Sequence, residues 1–239
     1  MLYYFILSLP FLLIAYRILL TNFIVPHFKK KALTDQLKLR ADWQKIEKNE
    51  TELKNLFAGS HGKFISMKHR LTHFIRNKEF IYGEIDFLSF YTILEKTKPQ
   101  EGEVFYDLGS GAGKAVFAAG YYFNFSKTCG IELLEPLYKL AKNQLKKVPL
   151  TQVEFINENF LNYDFSDADI VYVAATCLDP STWEQLINKM AKLKPGSRII
   201  VATKSIQHEQ FEPIHQGIEL MSWGLCPVTI YLLTSTSQK

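Results

Sequence analysis

The sequence predicts an α/β fold: a seven-stranded, mostly parallel sheet with helices on both faces, preceded by a helical extension. Three observations carry this. An apolar run, Val104–Leu108, leads through glycines at 109, 111 and 113 into a small-residue helix over residues 115–122. Short apolar runs then alternate with amphipathic segments as far as residue 203. Two adjacent strand-like runs, residues 218–223 and 228–233, close the chain as a hairpin around Gly224 to Pro227.

Size and charge set the outer limits. The chain has 239 residues, 47% hydrophobic and 22% charged, which describes a folded protein rather than a disordered one. Its net charge of +4 is unevenly placed. Residues 1–98 carry 16 Lys/Arg against 9 Asp/Glu, whereas residues 99–239 carry 12 against 15. The basic half is therefore the part expected to meet an anionic surface. Cys129, Cys177 and Cys226 are widely spaced in apolar surroundings, so neither a disulfide framework nor a metal site is expected.

Taken in order, residues 2–25 are almost wholly apolar, with Arg17 the one charge. At ~1.5 Å per residue such a helix is about 36 Å long, enough to cross a bilayer. Lys29, Lys30 and Lys31 follow at once. The expectation is a single-pass membrane anchor over residues 1–25 with the remainder on the cytoplasmic side. Residues 26–98 then form a basic helical region, and residues 99–239 the catalytic domain. Within the basic region, residues 31–57 show an amphipathic stripe of Leu39, Ile46 and Leu53, with Trp43 and Phe57 beside it. Gly59 to Gly62 end that helix.

His69 and His73 stand one helical turn apart, but no carboxylate accompanies them, so surface histidines are expected rather than a metal site. Residues 63–78 hold Lys63, Lys68, Arg70, Arg76 and Lys78 and no acid. This pattern suits either a solvated helix face or contact with lipid headgroups or phosphates. Tyr82-Gly83-Glu84 precedes the helix Phe87–Lys96 and makes a loop able to reach a ligand pocket.

The glycine turn decides which ligand that pocket takes. Backbone can approach a ligand closely at Gly109, Gly111 and Gly113, and the following helix offers free N–H groups. A dinucleotide fingerprint would want its third glycine where Lys114 stands. The spacing Asp107-x-Gly109-x-Gly111-x-Gly113 instead favours S-adenosylmethionine (SAM). A second strand over residues 128–133 carries Glu132, 23 residues beyond Gly109, where an acid can accept both ribose hydroxyls. After a helix over residues 136–147 and the strand Val153–Ile156, Glu158, Asn159 and Phe160 fall where a third loop would meet the adenine. A strand over residues 169–175, a helix over 180–193, a turn at Pro195-Gly196 and a strand over 198–203 complete the alternation.

Several blocks together resemble one family, the non-SET histone-lysine methyltransferases named for disruption of telomeric silencing. They are Tyr82-Gly83-Glu84, Asp107-Leu108-Gly109-Ser110-Gly111-Ala112-Gly113, Gly130-Ile131-Glu132, Asn159-Phe160-Leu161, residues 194–199, and Ser222-Trp223-Gly224-Leu225-Cys226-Pro227-Val228. The resemblance implies a class I, Rossmann-like SAM-dependent fold. It implies cofactor contacts at Tyr82, Glu84, Asp107, Gly109, Ser110, Gly111, Gly113, Glu132, Asn159 and Phe160. Glu84 and Asp107 would meet the methionine end, Glu132 the ribose, and Asn159 and Phe160 the adenine. Trp223 would line a channel admitting a lysine side chain.

Two departures stand out. Ala174-Ala175-Thr176 replaces an asparagine-containing run after the fourth strand, and Ile230 replaces a tyrosine, with Tyr231 adjacent. The substrate-side candidates are therefore Thr176, Trp223 and Tyr231. Methylation of a lysine needs no dedicated base, which agrees with a chain whose His208 and His215 stand after the fifth strand, away from the motifs. The Asn/Asp-Pro-Pro-aromatic run of base and glutamine methyltransferases is absent, Ala174-Ala175-Thr176-Cys177 standing in its place, which argues against nucleobase amino groups, and nucleic acid is not an expected partner. The expected activity is membrane-anchored protein-lysine N-methylation, with a substrate lysine near a membrane and an anionic lipid surface as partners. A small-molecule or lipid methyltransferase, or a SAM-binding module without catalysis, are the alternatives.

Overall fold

The structure, a computed structural model, describes residues 12–14, 16–72, 83–221 and 224–235. Seven strands form one sheet: β1 (Val104–Leu108), β2 (Lys127–Ile131), β3 (Val153–Ile156), β4 (Ile170–Ala174), β5 (Arg198–Ala202), β6 (Phe211–Met221) and β7 (Gly224–Leu233). Their order is β3-β2-β1-β4-β5-β7-β6, with β7 antiparallel to its neighbours and all other pairs but β6–β7 parallel. The chain leaves β1 toward β2 on one side and returns to β4 on the other. A cleft therefore opens between the carboxyl ends of β1 and β4, where flanking loops part in opposite directions.

The central strands read as continuous apolar runs because both of their faces are covered. One face packs Phe105, Tyr172, Ile200 and Ile230 against α4 (Phe87–Lys96) and α5 (Lys114–Tyr122). The other packs Tyr106, Val171, Ile199 and Tyr231 against Trp183, Leu186 and Met190 of α7 (Pro180–Met190). Helix α6 (Glu135–Leu145) begins at Glu135-Pro136, with proline in the first turn, where a missing N–H costs nothing. Asp179 caps α7 by accepting from the N–H groups of Ser181 and Thr182.

The amino-terminal helices join the first of these layers. Helix α1 (Val25–Lys38) buries Leu37, and α2 (Trp43–Phe57) buries Ile46, Leu53 and Phe57 in the same cluster as Phe90, Phe105 and Phe117. Polar ties reinforce the packing: Lys30 reaches Asp86 at 2.5 Å, Arg40 reaches Glu95, and Asn49 Nδ2 donates to the Tyr121 carbonyl at 2.8 Å. Asp86 also caps α4 by accepting from the Ser89 N–H. Helix α3 (Gly62–Thr72) lies near α6, with Phe64, Met67, Lys63 and Lys68 exposed.

Three expectations need correction. No helix among the described residues is long and apolar enough to cross a membrane, so the single-pass anchor over residues 1–25, and the cytoplasmic placement drawn from it, are not upheld. The carboxyl half of that apolar run instead forms a π-helical turn, Leu20–Ile24, near β7. It runs on into α1, whose Pro26 is buried and whose lysines pair with the fold. Residues 1–11 lie outside the described residues.

The amphipathic helix over 31–57 is two helices, α1 and α2, broken at residues 39–42, where Arg40 Nε donates to Asp42 Oδ1 at 2.8 Å. Leu39 consequently turns out to solvent, and Leu37 takes the buried place. The closing hairpin also differs from its expected form. Strand β6 starts at Phe211, a bulge at Pro213 and His215 having masked its period, and residues 224–227 pair within β7 instead of forming the loop.

Gly113 holds φ +85°, and a Cβ there would come within 2.5 Å of the Phe155 ring. Gly102 holds the same φ, with nothing within 4 Å of the corresponding position. Both Ala substitutions incur left-handed backbone strain of about 1–2 kcal/mol, but only at Gly113 does overpacking add about 1–3 kcal/mol more. Urea denaturation should therefore show Gly113→Ala as clearly the more destabilised of the two; equal losses would place the constraint in the backbone alone.

Candidate active site

Strand β1 delivers Asp107 to the mouth of the cleft on the α5 side, where it is nearly fully buried. The chain then turns over the end of β2. The N–H groups of Gly109 and Ser110 both donate to the Ile131 carbonyl, at 2.9 and 3.0 Å, and Gly113 N–H donates back to the Ser110 carbonyl at 2.8 Å. The turn is clamped from below by Glu132. Its Oε2 accepts from Gly111 N–H at 2.7 Å and its Oε1 from Leu134 N–H at 2.7 Å. Asn157 Nδ2 donates to the carbonyls of Glu132 and Leu133, tying in the loop after β3.

The cleft itself is lined by Gly83, Glu84, Asp107, Gly109, Ser110 and Lys114, with Tyr172 and Ala174 of β4 along the far wall. Lys114 Nζ lies 2.5 Å from Glu84 Oε2, so the loop before α4 is pinned to the first residue of α5. Burial, and then the nearby Glu132, push the Asp107 carboxyl well above the usual carboxylate range. Burial also raises Glu132, a shift that its N–H donors oppose. The Tyr172 phenol is raised by burial and then by Asp107. The cleft is thus lined by two carboxyl groups, Glu84 and Asp107, whose charged forms invite a cationic ligand, with Glu132 behind the turn.

Residues 63–222 match the family model described as histone methylation protein DOT1. The chain belongs to this family. Among its relatives, a protein-lysine N-methyltransferase of Saccharolobus islandicus is 31% identical over 110 residues, 45% of this chain and 66% of that one. A histone-lysine N-methyltransferase, H3 lysine-79 specific, of Eremothecium gossypii is 29% identical over 138 residues, 51% of this chain and 24% of that one. The chain therefore spans just under two thirds of the archaeal relative and about a quarter of the fungal one. Among solved structures, an RNA methyltransferase from Salinibacter ruber in complex with S-adenosyl-L-homocysteine is similar at TM-score 0.51 and 25% identity, covering 63% of this chain and 94% of that one. The DOT1 match and this likeness agree with the topology: the sheet is of the class I methyltransferase kind.

The structure brings Glu84, Asp107, Gly109 and Ser110 of the DOT1-like motifs into one cleft, with Gly111, Gly113 and Glu132 building the turn behind it. Asn159 and Phe160 sit half-buried in the loop beyond β3. Asn159 Oδ1 accepts from Leu161 N–H at 2.9 Å, and Phe160 packs on the α7-side core. Thr176 is exposed in a short turn, Ala175–Cys177, beyond β4, its Oγ1 3.1 Å from that of Thr203 at the end of β5. Thr203 holds φ +74°, an unusual value for a β-branched residue, and its N–H donates to the Pro227 carbonyl at 2.8 Å.

Tyr231 is not brought to the cleft. Its ring is buried against Phe211 on the α7 side, and its hydroxyl accepts from Ile206 N–H at 2.9 Å. Tyr82 and Trp223 lie outside the described residues. Sequence reasoning missed Lys114, Tyr172 and Asn157 as parts of the site. The available signal for Lys114 was its place next to the last glycine, a cation at the positive end of a helix. No group of His, Cys, Asp and Glu among the described residues could hold a metal ion.

The raised Asp107 pKa has a definite sign. The folded state holds its proton to higher pH than the unfolded chain does, so this contribution to stability is full below the ordinary carboxylate range and is lost as pH rises through the raised value. Asp107→Asn should therefore raise the melting temperature at pH 7, by about 2–4 °C for each ~1 kcal/mol recovered, and give no gain near pH 4. Thermal melts at the two pH values test this; the same gain at both would remove the titration from the explanation.

Proposed function

We propose that this chain binds SAM in the cleft above β1 and β4 and transfers its methyl group to the ε-amino group of a lysine in a protein substrate. The observation that carries the reading is the Asp107–Gly113 turn, clamped by Glu132, inside a DOT1-family chain. The residues fit the cofactor. Ser110 Oγ is buried with no hydrogen-bonding partner among the described residues and stands at the cleft. A Cβ on Gly109 would meet nothing within 4 Å, so the backbone there is open to a ligand. Glu132, held by the Gly111 and Leu134 N–H groups, is the acid placed to accept from the ribose hydroxyls. Asp107 and Glu84 would hold the methionine ammonium.

When bound, SAM supplies an electrophilic methyl group on a sulfonium. What this chain contributes is alignment and exclusion of water. The glycine turn and Glu132 would hold the adenosine end, and Tyr172 and Ala174 line the side toward β4. An incoming lysine must lose its proton, and an apolar approach lowers its pKa without a base from the protein. Collinear placement of amine, methyl and sulfur then supplies much of the rate. The lysine class of substrate is supported by the archaeal and fungal relatives, whose names specify protein lysine and histone H3 lysine-79. The basic residues Lys63 and Lys68 on α3 are exposed and could meet an acidic protein surface.

Incubation of the protein with radiolabelled SAM and a protein extract should yield label that hydrolysis releases as methyl-lysine. Label in an organic extract would favour a lipid or small-molecule acceptor; no label with intact SAM binding would leave a binding module. In parallel, Glu132→Ala should weaken SAM binding by about 30- to 1000-fold, equivalent to ~2–4 kcal/mol, in titration calorimetry. Unchanged affinity would remove Glu132 from the cofactor site.

A further inference from the structure

Lys189 lies in the last turn of α7, half-buried, and its ammonium faces the loop that follows β3. Nζ donates to three main-chain carbonyls, those of Phe160 at 3.1 Å, Leu161 at 2.7 Å and Tyr163 at 2.5 Å. It also stands over the Phe165 ring, 4.9 Å from the centroid. An ammonium has three N–H donors and no acceptor, so these three bonds use its whole capacity. A neutral amine keeps two N–H groups and a lone pair, and that lone pair would face a carbonyl oxygen. The arrangement is therefore matched to the charged form. Among the described residues no carboxylate forms an ion pair with Lys189. Asp164 and Glu158 on the loop attract it from farther off, and Lys192, just beyond the helix, repels it.

The loop so held is the one that borders the glycine turn. At its start, Asn157 Nδ2 donates to the carbonyls of Glu132 and Leu133, which ties this end to the acid behind the turn. The Asn159 carbonyl then accepts from the N–H groups of Asn162 and Tyr163, at 2.9 and 3.2 Å. Phe160 and Leu161 lie within the turn these bonds close, and Tyr163 ends it, so Lys189 gathers the carbonyls of one compact unit. Asn159 and Phe160, the pair expected at the adenine, belong to the same unit. Their place is fixed by Asn157 on one side and by Lys189 on the other. Partial burial lowers the Lys189 pKa below the ordinary lysine range, against the pull of Asp164 and Glu158. The charge, and with it the third bond, is lost at a lower pH than for a lysine in water.

We propose that Lys189 is a positioning residue for the adenosine end of the ligand: its ammonium, acting from α7 through three carbonyls, sets the turn that presents Asn159 and Phe160. The inference rests on the SAM reading above and adds a residue outside the cleft, on a separate helix, on which nucleoside affinity depends. Loss of the ammonium releases three carbonyls at once, and the turn is then free to settle with those carbonyls toward water. Arginine, always charged and rich in N–H donors, can keep the contact. Methionine, similar in length and without a donor, cannot.

The test is titration calorimetry on the full chain with SAM and with 5′-methylthioadenosine, which has the adenosine end and no amino-acid group to titrate. In Lys189→Met, affinity for 5′-methylthioadenosine should fall about tenfold or more near neutral pH, and affinity for SAM by the same factor. Lys189→Arg should stay within about threefold of the unaltered protein. Lys194→Met removes the Lys194–Asp169 pair just before β4, at the opposite end of the sheet, and should leave both affinities within about twofold. As pH rises from about 7.5 to about 10, the unaltered protein should progressively lose affinity for 5′-methylthioadenosine, and Lys189→Arg should not. Unchanged affinity in Lys189→Met, an equal loss in Lys194→Met, or one pH profile shared by lysine and arginine would each overturn the proposal. Where Lys189→Met does not fold, the pH comparison between the unaltered protein and Lys189→Arg decides by itself. If neither nucleoside binds the unaltered protein, the cofactor assignment fails, and this proposal with it.

Discussion

One buried carboxylate holds the functional end of this molecule together. Glu132 sits at the end of β2 and grips the backbone N–H of Gly111 and of Leu134, so that the glycine turn, the start of α6 and the middle of the sheet share a single acceptor. Backbone amides at such a turn have no strand partner, and leaving two of them buried and unpaired would cost about 1–3 kcal/mol each. The same arrangement raises the neighbouring Asp107, because two carboxyl groups are placed near one another away from water. The acid that holds the turn thus also sets the electrostatics of the cleft beside it.

The helices before the sheet are part of this arrangement. Lys30 of α1 pairs with Asp86, which caps α4 immediately after the Glu84 loop, and Phe57 of α2 forms one wall around Lys114. Glu84 is thus held from two sides, by α1 through Asp86 and by α5 through Lys114. Arg40 with Glu95 and Asn49 with the Tyr121 carbonyl fix the same helices further along α4 and α5.

Much of the architecture was legible because local pattern and tertiary role coincide. The limits of β1, β3 and α4 follow from runs of apolar residues bounded by glycine, proline or charge, and Asp107, Gly109 and Ser110 share a cleft because one continuous motif carries them. Legibility ended where a pattern had more than one physical use. The apolar run before residue 25 has the composition of a bilayer span, but its carboxyl end continues into a helix laid on the sheet. The stripe through Leu39 failed because Arg40 and Asp42 break the helix, which hydropathy spacing does not register. Strand β6 was cut short because the bulge between Pro213 and His215 shifts its register, which alternation along the sequence does not record. Lys114 escaped notice because its meaning depends on Glu84, thirty residues earlier, and on two phenyl rings from separate helices.

Thr203 bears on how such a site can change over evolutionary time. A β-branched residue at φ +74° stores strain of about 1–3 kcal/mol, and here it does so at the rim where β4, β5 and β7 meet, with its hydroxyl beside that of Thr176. Most remodelling of an active site loses stability, and a marginally stable chain can absorb few such losses. At this rim the slope is reversed: replacing Thr203 by a residue at ease in the left-handed region releases strain while changing the contact with Thr176. A substitution at Thr203 therefore alters the ends of β4 and β5 without drawing on the stability margin that most other changes consume.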